Sequence, residues 1–474
     1  MLPLFILAPL AVLLLFNLPM HRPTQRPTWW AALLLSVSQA VGVTVAPVSF
    51  WGQSTVLERF FAFGLTMDGL SRVLLLTIGL VVAAALLVGR QTVTMRDRQG
   101  GFTSLVVIAM IGMNGTVLLS DLFSLYVFIE ITSVSSFVLV AMNRDPDGLE
   151  GAFKYLILSA VATILMIGSV ALLLLVSGST GFGAVASALK GSGHAAIPRI
   201  AVGAFVCGLL IKGGLVPFHG WLPAAYSAAP APVSVLLAGV ATKASGIYAL
   251  VRLTTSVFTS SASLNETLLL VGTVSIVVGA VAALTQTDMK RLLAYSSISQ
   301  VGYIVLGLGC GSELGIAGAV FHLFNHAVFK SLLFVNSAAV ERRLGTTDMN
   351  RMGGLGSRMP LTSITSAIAT LSTAGIPPLA GFWSKLIIVL ALWRGQHYAY
   401  AGIAVLFSVV TLAYLLGMHR RVFFGKTPQE LLEIREADWG LVLPAVALAV
   451  ITVAVGLLIP LVFNTFLLPV GGIL

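Results

Sequence analysis

The stretch Leu210–Trp221 reads LIKGGLVPFHGW, and it lies inside a long apolar run. It holds a lysine, two glycines and a proline, residues that a membrane-spanning helix normally avoids. A second stretch of the same kind, AGIPPLAGFWSKLII at 374–388, again places a break and a lysine inside a hydrophobic run. Composition decides what such runs are for. Hydrophobic residues make up 57% of the 474-residue chain and charged residues 9%, with a mean hydropathy of +1.00, which excludes a soluble globular domain. The chain reads as an all-α integral membrane protein.

About 20 apolar residues cross the hydrocarbon core as a helix. That template predicts about fourteen transmembrane helices, near 2–20, 29–49, 64–89, 102–120, 121–142, 151–177, 199–223, 231–256, 265–285, 292–311, 313–340, 360–395, 398–418 and 439–466. The opening MLPLFILAPLAVLLLFNLP has no basic segment, and no small-residue cleavage site precedes the next span, so it reads as a retained helix rather than a signal peptide. The polar connections 341–359 and 419–438 suit surface loops. The stretch 419–439, HRRVFFGKTPQELLEIREADW, mixes charges with Phe423, Phe424, Leu431, Leu432 and Ile434; it reads as an interfacial helix able to dock a neighbour, with a solvated loop nearly as good a reading.

The net charge of +10 reports topology rather than a polyanionic ligand. With the N-terminus outside, seventeen of the 27 Lys and Arg fall in inner loops, and five, Arg59, Lys190, Arg199, Arg252 and Arg394, fall in outer ones. Positive charge gathers on the cytoplasmic side of membrane proteins. The expectation is a multi-pass protein of the cell (inner) membrane, with both termini on the external or periplasmic side and no nucleic-acid partner.

The remaining five, Arg72, Lys212, Lys243, Lys330 and Lys385, lie within spans. A lysine at the centre of a membrane helix costs on the order of 3 kcal/mol to insert. Arg72 has Asp68 four residues earlier on the same helical face, which predicts a structural ion pair. The four lysines share a depth with Glu130, His322 and His326, so seven titratable groups form a belt near the bilayer midplane. Groups whose charge depends on burial and on neighbouring charge can take up and release protons near neutral pH. Helix-tying ion pairs and hydrogen bonds are the alternative use for each of them singly.

In HLFNHAVFK, His322, His326 and Lys330 recur at i, i+4 and i+8. Neither a glutamate in the HExxH position nor a third ligand accompanies the histidines, so a proton relay is favoured over zinc and no metal site is expected. Pro217 removes a backbone donor, and Gly213 and Gly214 loosen the helix around it. Transporters place discontinuous helices of this type at their ion sites. The two broken spans are the seventh and twelfth, so they run in opposite directions, and Lys212 and Lys385 both fall on the outer side of their breaks. That layout suits a lateral path along the membrane plane.

LYVFIE with Glu130, KGGLVPFHGWLPAAYSAAPAPVSVLLAGVATK from Lys212 to Lys243, KRLLAYSSISQVGY, HLFNHAVFKSLLF and AGIPPLAGFWSK together resemble the antiporter-like membrane subunits of respiratory complex I, of Mrp-type multisubunit cation/proton antiporters and of membrane-bound hydrogenases. The resemblance implies a fourteen-helix fold with two five-helix units related by inversion. It divides the chain into helices 1–3 (1–101), a first unit of helices 4–8 (102–256), a second of helices 9–13 (257–420), and an interfacial stretch with helix 14 (421–474). It implies an input pair of Glu130 and Lys212, a central relay of Lys243, His322, His326 and Lys330, and an exit at Lys385. The M-type complex I subunit carries a glutamate where Lys385 stands, and the chain ends at Leu474 without room for the lateral helix of the L-type. An N-type, Mrp D-type or hydrogenase-type member fits.

Cys207 and Cys310 are far apart in apolar spans, with no cysteine cluster for iron–sulfur ligation and no glycine-rich dinucleotide loop, so no cofactor is expected on this chain. Redox chemistry, if coupled, belongs to partners. The favoured expectation is a proton-pumping module of a redox-driven complex, partnered by other membrane subunits and, through them, by iron–sulfur electron-transfer subunits. A component of a secondary sodium/proton antiporter and a non-conducting scaffold are the alternatives.

Overall fold

The computed structural model describes residues 2–17, 25–46, 53–54, 64–93, 96–191, 195–258 and 261–467. Helices dominate. The described strands are the two-residue pair Gln53–Ser54 and Leu65–Thr66. In chain order the helices are α1 (Leu4–Asn17), α2 (Gln25–Val45), α3 (Gly69–Thr92), α4 (Arg96–Leu118), α5 (Leu122–Val140), α6 (Pro146–Ser177), α7 (Phe182–Gly191), α8 (Ala196–Gly213), α9 (Trp221–Ala228), α10 (Ala231–Ser256), α11 (Ala262–Leu284), α12 (Met289–Gly309), α13 (Glu313–Leu344), α14 (Pro360–Ala374), α15 (Ala380–Arg394), α16 (Tyr398–Phe423) and α17 (Trp439–Leu457).

Among the described residues, 12 helices are long and apolar enough to cross a membrane, against the fourteen expected. The shortfall has a physical source. The first expected span is a helix of 14 residues, and the twelfth is divided by its break into α14 and α15, of 15 residues each. The central stretches of α10 and α13 are buried throughout, and that of α12 nearly so, whereas α6 and α16 turn most of their surface outward. A helix that is apolar outside and carries its polar groups inward is the form expected in lipid, where backbone groups must be satisfied within the helix.

Two halves of the chain repeat the same local devices. Asp121 caps α5 through Ser124 N–H at 2.7 Å and accepts the Thr180 hydroxyl; Asp288 caps α12 through Arg291 N–H at 2.8 Å and accepts the Thr347 hydroxyl. Each aspartate and its threonine are 59 residues apart. The breaks repeat as well. Gly214 ends α8 at φ +69° and Gly375 ends α14 at φ +87°, a backbone region that costs other residues about 1–2 kcal/mol. In both, the next amide reaches back to close the helix, Leu215 N–H to Leu210 C=O and Ile376 N–H to Leu371 C=O, and a cis proline follows, Pro217 and Pro378. On the expected span order five crossings separate α5 from α12, the odd offset that an inverted repeat requires.

Several expectations fail here. Arg72 does not pair with Asp68. Its guanidinium donates to the carbonyls of Val43 (2.9 Å) and Thr44 (2.8 Å) on α2 and stacks on Phe466, because these lie at the height its side chain reaches. Asp68 instead caps α3 and binds Arg252, with both carboxylate oxygens engaged; Arg252 also donates to Ser71 and Tyr248. Arg252 is therefore not an outer-loop cation but a buried residue in the last turns of α10, 7% exposed. The stretch 419–439 is no interfacial helix: α16 runs on to Phe423, and one short turn at Gln429–Leu431 precedes α17. Its loop clasps the other long polar connection, with Gly354 N–H to Phe424 C=O at 2.9 Å, Thr427 Oγ1 to Gly354 C=O at 3.1 Å and Arg343 to Asp438 at 3.0 Å. Both connections thus lie on one face of the bundle.

Candidate functional site

The break at Gly214 sets Lys212 in the last turn of α8, where helix carbonyls favour a cation. Its Nζ donates to Glu130 Oε1 on α5 at 2.7 Å, to Ser133 Oγ at 3.0 Å and to Ser159 Oγ on α6 at 2.6 Å. Thr163, one turn beyond Ser159, donates to the same Glu130 oxygen at 2.8 Å. The lysine is fully enclosed, while the Glu130 side chain keeps 23% of its surface exposed. A proton arriving at Glu130 from its exposed side therefore meets an ammonium across one hydrogen bond.

α10 crosses directly behind this pair. At Gly246 it touches the Lys212–Gly213 backbone so closely that a Cβ would meet it, and at Gly239 it touches Ser331 of α13 and Val81 of α3. Lys243 lies between these two contacts. It starts one of two π-helical segments, Leu237–Ala241 and Lys243–Tyr248, a rare geometry that is frequent at functional sites. Its Nζ donates to Thr242 Oγ1 at 3.2 Å and stands 5.7 Å from the Tyr226 ring centre; Tyr226 OH bonds Thr242 at 2.8 Å.

On α13, His322, His326 and Lys330 are all fully buried. Lys330 donates to Ser296 Oγ at 2.6 Å and to the Leu293 carbonyl at 3.3 Å, and Ser296 in turn bonds Tyr414 OH at 2.9 Å. His322 Nδ1 bonds Ser384 Oγ at 2.9 Å. Both ring nitrogens of His326, and Nε2 of His322, have no hydrogen-bond partner among the described residues. His326 lies within electrostatic reach of Lys243 and Lys330, and His322 of Lys385. Lys385, near the start of α15, donates to the carbonyls of Thr373 (2.8 Å) and Ala374 (3.5 Å), the last residues of α14, and lies 4.5 Å from the Tyr303 ring centre. Both break-associated lysines therefore sit against a helix C-terminus. The sequence-derived residues thus form neighbouring groups: Glu130 with Lys212, α10 with Lys243 packed against the Lys212 backbone at Gly246, Lys243 with His326 and Lys330, and His322 with Lys385.

The family profile described as NADH:quinone oxidoreductase/Mrp antiporter, TM matches residues 120–411, a stretch that contains all of these residues. The chain belongs to this family. It is 31% identical over 430 residues to the D-type subunit of the Na(+)/H(+) antiporter of Alkalihalophilus pseudofirmus, covering 90% of this chain and 86% of that one. It is 36% identical over 353 residues to the N-type subunit of the NADH-quinone oxidoreductase of Desulforudis audaxviator, covering 74% and 69%. A chain in the structure of the membrane-bound sulfane sulfur reductase, an archaeal respiratory membrane complex, superimposes with a TM-score of 0.90 at 27% identity over 100% of this chain and 97% of that one. These relatives are subunits of multisubunit membrane complexes.

In this antiporter-like subunit the hydroxyls that bond the titratable groups, Ser133 and Ser159 at Lys212, Thr163 at Glu130, Thr242 at Lys243, Ser296 at Lys330 and Ser384 at His322, escape sequence reasoning, since a membrane helix contains many such residues bonded only to its own backbone. The internal repeat offers a signal for some of them. In the register set by Asp121 and Asp288, Tyr155, Ser159 and Thr163 of α6 occupy the positions of His322, His326 and Lys330 on α13. A second missed feature is the ion pair of Lys290 with Glu341 at 3.1 Å, where Lys290 also donates to the Ala229 carbonyl and so ties the start of α12 to the end of α9.

Proposed function

We propose that the chain is the proton-translocating subunit of a redox-driven complex of the complex I or membrane-bound hydrogenase type. The observation that carries this reading is the set of buried titratable groups in the bundle, Lys212, Lys243, Lys330, His326, His322 and Lys385, with Lys212 paired to a partly exposed Glu130. Buried ionisable residues in a membrane bundle are expensive and mark ion pathways. Glu130 and Lys212 act as the input pair, Lys243 with the three α13 residues as the central relay, and Lys385 as the exit. The working units are 102–256 and 257–420, flanked by 1–101 and 421–474, with both termini on the external side. Water molecules bridge the gaps between neighbouring side chains, and each group takes a proton from one neighbour before passing one to the next.

Energy enters from outside the chain. Iron–sulfur subunits bound through other membrane subunits supply it by shifting the charge next to the Glu130–Lys212 pair, which changes where the proton rests. A second reading, a component of a sodium/proton antiporter, is favoured by the breadth of the match to the D-type protein of A. pseudofirmus. Reconstitution separates the two. The purified chain alone in liposomes is expected to give only a slow proton leak, and the whole complex coupled pumping. A sustained sodium-dependent pH gradient built by the single chain would overturn the driven-module reading.

A further inference from the structure

α14 carries more buried hydroxyls than its packing uses. Thr362, Ser366, Thr370 and Thr373 recur at i, i+4, i+8 and i+11, which places them on one face, and all four are buried, with exposures of 2%, 0%, 0% and 0%. A buried membrane hydroxyl ordinarily donates to the carbonyl four residues back, as Thr373 does to Ala369 at 2.7 Å. Ser366 Oγ and Thr370 Oγ1 have no partner among the described residues. A buried hydroxyl without a partner costs about 1–3 kcal/mol, so this placement is not the default of a helix packed for stability.

The row has defined ends. At the α14 N-terminus, Glu436 accepts the Thr362 hydroxyl at 2.6 Å and the Leu361 N–H at 2.7 Å. Glu436 belongs to the connection that clasps 341–359, on the face assigned to the cytoplasm. At the other end the Thr373 carbonyl holds Lys385 Nζ at 2.8 Å. On the flank, Thr365 donates to Asn336 Oδ1 of α13 at 3.0 Å, and Asn336 Nδ2 has no partner among the described residues. The repeat supplies a control within the same chain. In the register set by Gly214 and Gly375, the α8 residues matching Thr362, Ser366 and Thr370 are Ala201, Phe205 and Leu209, all apolar. The first unit builds the same broken helix without hydroxyls, so the fold does not demand them.

We propose that the hydroxyl face of α14 is a second proton entrance, leading from Glu436 on the cytoplasmic face to Lys385. The inference rests on the relay reading above and adds an access route in the second unit that the Glu130–Lys212 input does not supply. Hydroxyls one turn apart are about 6 Å from each other, a gap that one water molecule bridges. Each hydroxyl accepts a proton from the water on its Glu436 side and releases its own to the water on its Lys385 side. The transfer ends on neutral Lys385, whose ammonium is then held by the Thr373 carbonyl.

The test uses the assembled complex in sealed vesicles. Thr370→Val keeps the side-chain volume and removes the hydroxyl, and it is expected to lower coupled proton transport roughly tenfold. Thr370→Ser should restore most of it, and thermal stability should not fall, because no hydrogen bond to protein is lost. A second measurement keeps the side-chain size nearly unchanged: in a Cys207→Ala, Cys310→Ala background, a small methanethiosulfonate reagent should block proton transport by a Thr370→Cys complex from the cytoplasmic side and inhibit the same background without Thr370→Cys far less. Full transport by Thr370→Val, in a complex that Lys212→Ala still inactivates, would overturn the second entrance and leave the relay standing. Full transport by both variants would overturn the relay itself. Block of Thr370→Cys only from the external side would overturn the direction assigned to the row.

Discussion

A lysine ammonium has three donors, and at Lys212 all three are used, by Glu130, Ser133 and Ser159. Lys243 meets one hydroxyl and the face of Tyr226. Lys212 thus has a carboxylate as its counter-charge, whereas Lys243 meets no carboxylate among the described residues. At the same scale, Asp68 and Arg252 form a buried pair that no spacing rule reveals, because 184 residues separate them. Asp68→Ala leaves the guanidinium of Arg252 buried without its carboxylate and should destabilise the protein by about 3 kcal/mol. Arg72→Ala loses two hydrogen bonds to carbonyls and should cost about 1–2 kcal/mol. Thermal unfolding of the two variants in detergent ranks them, and equal losses would speak against the assignment. The i, i+4 spacing of Asp68 and Arg72 pointed to the wrong partner because it accounts only for neighbours on one helix.

The breaks belong to the scale of the element, and their chemistry was legible. Glycine followed by proline inside an apolar run predicts an interrupted helix, and both interruptions are present with the same closing hydrogen bonds. The interfacial helix was not legible, because mixed apolar and charged residues at 419–439 suit a loop clasp as well as a membrane surface. Gly214→Ala and Gly375→Ala each force a left-handed residue to carry a Cβ, at about 1–2 kcal/mol. Gly246→Ala should be more damaging than either. Its Cβ falls on the backbone of Gly213, which cannot swing aside as a side chain can, so α10 must move off the Lys212 break. Yield of folded protein and thermal stability check the order. A Gly246→Ala protein as stable as the parent would show that the close crossing of α8 and α10 is not required.

Across the whole molecule, hydropathy and charge asymmetry predicted a multi-pass helical bundle, and the family motifs lie along its buried axis. The number of crossings was less legible, since the break at Gly375 divides the twelfth span into two helices of 15 residues, each too short to cross alone. The clasp between 341–359 and 419–438 puts these connections on one face. With the charge asymmetry, tags inserted in either should react with impermeant reagents only from the cytoplasmic side, and tags at both termini only from outside. Labelling of the two connections from opposite sides would break the span order on which the inverted units depend.

Proton pumping by the assembled complex carrying Lys212→Ala is the most direct measurement of the relay. Removing a buried cation relieves its desolvation, and Glu130 keeps the Thr163 hydroxyl and its exposed surface, so the subunit should insert and assemble normally. Pumping is expected to fall by at least about tenfold at unchanged subunit composition. An intact Lys212→Ala complex that pumps at the parent rate would contradict proton transfer through these buried residues.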